Sequence, residues 1–275
     1  MQKNILLVLM TILLVGFSGC TTFNRDEAVE SIKDIIYSEN TRLPRAGIEI
    51  VASFQDTIML DSLCRLEEMN FSTTLASDSL NFVFKQTSRN DSLITIGDSS
   101  IVTILRSYSG IMESKIRSID NDSSRTIEKS FSSQRSQYAL FTDNDGWNLS
   151  GYSFAEERSD TNTTQIFSLS IKTSTLDTTL YSTASISPLA DLPVILKGTP
   201  LSLVLRTAAD TSELVCLVLS DNVVRFRPKP GESKHWTAET TMGPGSLVIA
   251  IFSKNALLDE TYPADFDFWV VPYSE

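Results

Sequence analysis

Few side chains in this chain can do chemistry, and their spacing limits what each can do. His235 is the only histidine in 275 residues, so any Ser-His-Asp or Cys-His scheme must pass through it. Its setting, Ser233-Lys234-His235-Trp236, follows the turn Pro230-Gly231, where an exposed imidazole is commonplace. Gly243-Pro244-Gly245-Ser246 has neither the spacing nor the strand-to-helix context of a nucleophile elbow. Neither that stretch nor Gly97 stands before a helix, as a phosphate-cradling loop requires. The adjacent carboxylates Glu67-Glu68 and Glu156-Glu157 point apart and into solvent rather than across a glycosidic bond. Asp143-Asn144-Asp145-Gly146 clusters oxygens before a glycine as a calcium loop does. Aligning Gly146 with that loop's glycine, however, puts Phe141 at the first ligand position and Tyr152 at the bidentate one. Both it and Asp120-Asn121-Asp122 read as hairpin turns. With no Cys and His at metal-ligand spacing, the sequence points to no catalytic, cofactor or metal site, and the chain is expected not to be an enzyme.

The thiol in the most distinctive setting is Cys20. Lys3 gives a positive start, Ile5 to Val15 form an apolar stretch too short to span a bilayer, and Gly16, Ser18 and Gly19 are small. This is the pattern of a secretory leader. Its ending, Phe17-Ser18-Gly19-Cys20, resembles the lipobox of bacterial lipoproteins, with Phe17 where that family usually has Leu or Val. The resemblance implies cleavage before Cys20 and attachment of diacylglycerol to its sulfur. Buried acyl methylenes contribute about 0.8 kcal/mol each, so several chains hold a protein on a membrane far better than one. In the same family an Asp directly after the Cys retains the protein at the inner membrane. Thr21 stands there instead, which implies an envelope protein anchored at the outer membrane.

The chain is 41% hydrophobic and 21% charged with a formal net charge of -11. Removing the leader deletes Lys3 and leaves 22 basic against 34 acidic residues, or -12. That balance argues against nucleic acid as a partner. The densest basic run, Arg225, Arg227, Lys229 and Lys234, is diluted by Pro228, Pro230 and Glu232. With Cys20 acylated, only Cys64 and Cys216 remain. Cys216 sits in the apolar run Leu214 to Leu219, so two unpaired thiols are favoured over a disulfide.

Asp26 to Glu39 places Val29, Ile32, Ile35 and Ile36 on one helical face, with acidic residues at the start, where the helix dipole favours them. Thr41 to Pro44 ends it. Leu60, Leu63, Leu66 and Met69 recur every three residues and predict a second helix over 61–69, followed by a strand over 80–86. From Ser92 to Phe154 six short strands are predicted, at 92–96, 101–108, 111–119, 125–131, 137–142 and 147–154. They are separated by Gly97-Asp98, Gly110, a gap at 132–136 and the two acidic turns, as in an antiparallel meander. Helices followed by a meander make an α+β pattern.

The stretches IVTILRSYSG and YALFTDNDGWNLSGYSF are similar to the closing hairpins of the nuclear transport factor 2 superfamily, including SnoaL-like proteins. That resemblance implies a cone-like α+β domain over residues 26–158 and carries over no enzymatic residue. The run Glu156 to Thr164 has no apolar side chain and is the candidate linker, with the boundary at 159–164. Residues 165–275 contain six to eight short strands, broken by Pro and Gly turns, and resemble an immunoglobulin-like β-sandwich. Trp236, Tyr262, Phe266, Phe268, Trp269 and Tyr273 cluster late in the chain, as core or as a sugar-stacking face. The expected organisation is therefore a leader (1–19), a lipidated tether (20–25), a cone-like α+β domain and an all-β sandwich. The expected role is non-catalytic binding or scaffolding with an envelope protein partner; the alternative is carriage of an apolar small molecule or glycan.

Overall fold

The computed structural model describes residues 23–38, 41–88, 95–161, 163–181, 185–210, 212–219, 222–243 and 246–271; Cys20 and the expected leader, 1–19, lie outside them. Helix α1 (Arg25–Tyr37) is followed by β1 (Glu49–Met59), β2 (Cys64–Ser88), β3 (Thr95–Ser118), β4 (Ser124–Asp143), β5 (Trp147–Tyr152), β6 (Ala155–Ser159), β7 (Ile166–Lys172), β8 (Asp177–Tyr181) and β9 (Ser187–Pro188). After a 3-10 turn at Leu189–Asp191 come β10 (Pro200–Thr207), β11 (Leu214–Leu219), β12 (Val223–Arg225), β13 (Arg227–Pro228), β14 (His235–Thr241), β15 (Leu247–Ser253), helix α2 (Lys254–Leu258) and β16 (Phe266–Val271).

Eleven strands join one antiparallel sheet along the path β1-β2-β3-β4-β6-β16-β15-β11-β12, with β5 paired to β4 and β9 to β5. The path curls into a nearly closed barrel around a core that draws Ile50, Phe71, Met112, Ile127, Leu217, Phe252, Phe266 and Phe268 from both its ends. The outer faces of β16, β15 and β11 carry Trp269, Ile249, Ile251 and Cys216. These pack against Leu169, Leu203 and Trp236 of the second sheet, β13-β14-β10-β7-β8. Strands covered on both sides read as near-continuous apolar runs, and Phe266–Val271 is buried throughout with Asp267 as its one polar residue.

These findings overturn the α+β expectation. Only two helices, of 13 and 5 residues, occur among the described residues, and the chain is almost all β. Helix α1 forms as predicted from its pattern. Asn24 caps it by accepting from the Asp26 N–H at 3.1 Å, and Ala28, Ile32 and Ile36 face inward. The second predicted helix is instead a turn and the start of β2. Leu66 and Met69 both point into the barrel because pairing with β3 slips between Leu66 and Glu68. The extra residue of this bulge turns a two-residue repeat into a spacing of three. Nor do residues 165–271 form a separate immunoglobulin-like sandwich. They supply the second sheet, while the layer facing it is the continuation of the N-terminal sheet through β6 and β16. Glu156 to Ser159, expected in the linker, lie inside that sheet, paired to β4 on one side and β16 on the other.

Gly110 was expected to mark a turn, yet it lies within β3, paired to Thr73 and Phe131. A Cβ there would come within 2.5 Å of the Phe131 ring and 2.4 Å of the Ser72 carbonyl. Its role is therefore close approach, which lets Phe131 stack on Phe71 at 5.0 Å. The two acidic turns do reverse the chain, with positive φ at Asp122, Asp145 and Gly146.

Candidate functional site

A curled sheet that stops short of closure leaves two edges facing one another. Here the edges are β1 and β12. Between them runs a groove of about 600 Å³, lined by Ser53 and Phe54 from β1, Val223 to Arg225 from β12, and Arg227 and Glu239 from the second sheet. β1 pairs regularly with β2 from Glu49 to Ser53, and the register then shifts before Ile58. Phe54 and Val223 both pack on the barrel core beneath, so the groove has an apolar floor and charged walls. A second cleft of about 410 Å³ continues past Ser53 and Phe54 toward Lys115 and Arg117. There Arg117 meets Asp122 at 2.6 Å and Glu67 at 3.0 Å, while Lys115 meets Glu68 at 2.9 Å. Arg117 lowers the pKa of Glu67 by donating a hydrogen bond to it. Glu67 and Glu68 of β2 are thus held in ion pairs to β3, and Asp122, in the turn after β3, is held by Arg117.

Across the middle of the barrel interior lies a belt of buried charge. Arg135 of β4 donates to Glu157 of β6 through Nε at 3.0 Å and Nη2 at 2.6 Å, and both side chains are at most 2% exposed. Glu157 also accepts from the Ser133 hydroxyl at 2.7 Å. The Arg135 guanidinium stacks 4.4 Å from the Tyr108 ring and donates to the Ala46 carbonyl at 2.8 Å. Arg106 of β3 is equally buried; it pairs with Asp78 at 3.2 Å and donates to the Pro44 carbonyl. The Tyr108 hydroxyl donates to the Arg45 carbonyl at 3.0 Å, and burial raises its pKa against the pull of Arg135 and Arg106. Two arginines balance two carboxylates, and together with Tyr108 they pin the strap 44–46 across the barrel. The Ser133 hydroxyl and the Glu157 carboxylate are both buried, at 2% and 0% exposure, and the carboxylate is held by Arg135.

A third polar group ties the second sheet to the first. Asp265 accepts from the Thr163 and Thr164 backbones and hydroxyls, and Asp267 accepts from the Ile166 N–H at 2.8 Å. Burial holds the Asp267 carboxyl well above the usual carboxylate range, and the neighbouring Glu156 charge adds to this. A carboxyl whose folded pKa is raised supports folding fully only below its unfolded pKa of about 3.9, and that support is lost as pH climbs toward the folded value. Asp267→Asn keeps an acceptor for Ile166 but carries no charge. The variant is expected to gain melting temperature relative to the parent as pH rises above about 4, by paired thermal denaturation. A gap that stays constant or shrinks with rising pH would refute the assignment.

The other residues singled out in the sequence are dispersed. His235 opens β14 with its Nδ1 3.1 Å from Glu232, at the surface. Cys64 and Cys216 are unpaired, at opposite ends of the curled sheet path, and burial raises both thiol pKa values, far more for Cys216. Asp122 is taken by Arg117, and Asp143 accepts from the Gly146 N–H at 3.0 Å. Trp236, Phe266, Phe268 and Trp269 are buried, so their faces are occupied by packing and not offered to sugars; Tyr273 lies outside the described residues. Cys20 lies outside them as well. Among the described residues no three metal-ligating side chains converge, and no helix is long and apolar enough to cross a membrane. The sequence reading missed the groove and the charged belt. A visible signal for the belt was Arg106 and Arg135 standing in strand-like stretches of small and apolar residues.

No family model, curated protein or solved structure matches the chain.

Proposed function

We propose that this is a non-catalytic binding protein of the bacterial envelope, held by lipid on Cys20 at the outer membrane. Its ligand on this reading is an extended segment of an envelope protein, taken up along the seam between β1 and β12. The observation that carries the proposal is the pair of sheet edges facing across one groove. The terminal strands of an open sheet path are templates for an added strand, whose main chain supplies affinity while alternate side chains meet the walls. A groove of about 600 Å³ falls in the size range of binding sites, roughly 300–1,000 Å³. The apolar floor of Phe54 and Val223 and the charged walls of Arg225, Arg227 and Glu239 suit a segment that alternates apolar and polar residues.

The interior of the barrel is a poorer place for cargo. Phe71, Phe131, Phe252, Phe266 and Phe268 fill it with ring centroids 4.8 to 6.2 Å apart.

Anchor and seam are tested separately. Cys20→Ser is expected to move the protein from the membrane to the soluble fraction and to abolish incorporation of labelled palmitate; unchanged fractionation would remove the anchor. A photo-crosslinking residue at Val224 on the seam, and another at Tyr181 on the exposed far edge of the second sheet, are compared in intact envelopes. Adducts specific to position 224, mapping to one contiguous peptide of a partner, are the expected result. Equal labelling at both positions would rule out the seam.

A further inference from the structure

Four aromatic rings meet at the end of the large sheet where the described chain begins. Phe23 packs edge-on against Phe84 with centroids 5.3 Å apart, Phe82 stacks with Phe84 at 6.2 Å, and Trp147 meets Phe84 edge-on at 5.8 Å. The Arg25 guanidinium lies 5.8 Å from the centre of the Phe84 ring. Phe82 and Phe84 stand late in β2, and Trp147 is the first residue of β5. All four rings are partly exposed, whereas Trp236 and Trp269 are at most 1% exposed. Phe82, Phe84 and Trp147 pack their buried sides on the core cluster of Ile32, Val102 and Phe141, and the part of the rings left exposed, with Phe23 and a cation beside it, suits the boundary between lipid headgroups and acyl chains.

The length of chain preceding this cluster identifies its occupant. Phe23 is the third residue after Cys20, and three residues span at most about 10 Å. Acyl chains on Cys20 therefore hold this end of the sheet within that distance of the headgroups. We infer that the Phe23, Phe82, Phe84 and Trp147 end is a membrane-docking face that rests in the headgroup layer of the bilayer holding the anchor. The inference rests on the lipid-anchor reading. Exposed Asp26 and Glu27 at the start of α1 and Asp145 at the β4–β5 turn ring the same end. Their charge favours a zwitterionic surface over an anionic one.

The test uses the full chain isolated from membranes and reconstituted in phosphatidylcholine vesicles, with or without bromine on the acyl chains, which quenches nearby indoles. Because Trp236 and Trp269 are buried, the expected result is loss of the Trp147 share of the emission in brominated vesicles. That loss should disappear in Trp147→Phe. It should weaken in Phe82→Ser, a second variant whose acylation and fold are checked by intact mass and circular dichroism. A chain that is acylated by mass yet keeps its Trp147 emission overturns the docking face and leaves the anchor standing, whether a second copy or another protein covers the rings instead. A chain without diacylglycerol on Cys20 overturns the anchor and the docking face together.

Discussion

Arg135→Met is expected to lower folding stability by about 3–5 kcal/mol, the usual cost of leaving one member of a buried ion pair without its partner. Glu157 is 0% exposed. The variant would leave it with the Ser133 hydroxyl as its remaining side-chain donor. It would also strip the Ala46 carbonyl of its donor and the Tyr108 face of its cation. The paired variant Arg135→Met/Glu157→Leu removes both charges and is expected to recover most of the loss, because apolar groups of similar volume often replace a buried pair at little cost. Urea denaturation of the two single variants and the double closes a thermodynamic cycle. A single-variant loss below about 1 kcal/mol, the range of solvent-exposed pairs, would mean that water already reaches the belt.

Lys129→Met should be the second most damaging change, at about 2–4 kcal/mol. Lys129 lies on β4 with its ammonium donating to the carbonyls of Ala256, Asp259 and Tyr262 at 2.5 to 2.6 Å. Helix α2 has only five residues, so its last carbonyls have no partners within the helix. Three side chains of the barrel provide them, since Ser114 donates to Leu257 at 2.7 Å and Arg125 to Leu258 at 2.9 Å. Burial lowers the Lys129 pKa, opposed by the charges of Asp259 and Glu260. A methionine fills the same volume without donating. Besides the global loss, hydrogen exchange at residues 257–262 is expected to accelerate. If that segment keeps its protection, Lys129 is not what holds the segment against the sheet.

The same two strands show why the sequence was partly legible. Along β4 the inward positions are Ile127, Lys129, Phe131, Ser133, Arg135, Gln137, Ala139 and Phe141. Read for apolar alternation, this gives two strands with a gap at 132–136, which is where Ser133 and Arg135 face the belt. Alternation was present throughout, but its buried partners are polar, and Glu157 comes from a segment that reads as a linker. β3 was divided in the same way at Gly110, where the missing side chain makes room for Phe131. By contrast, β11, β15 and β16 are almost wholly apolar runs, Asp267 and Ser253 aside, and were legible as strands. That the layer covering their inner faces is the other end of the same sheet could not be read from them, because periodicity records which face is buried and not what buries it. The groove depends on where two edges stop relative to one another, and no local pattern encodes that.

The length of the β2–β3 hairpin sets a distance as well as a core. The two strands stay paired from Cys64 and Ser118 to Ser88 and Thr95, with only bulges interrupting the register. Ser53, at the seam, is paired to Glu68 near one end of this ladder, and Phe84 stands near the other. Sixteen residues of extended chain between them amount to at most roughly 50 Å. If the aromatic end rests on lipid as proposed, the hairpin would act as a stiff strut that sets the groove's standoff from the bilayer. The partners within reach are then those whose exposed segments lie well clear of the headgroups.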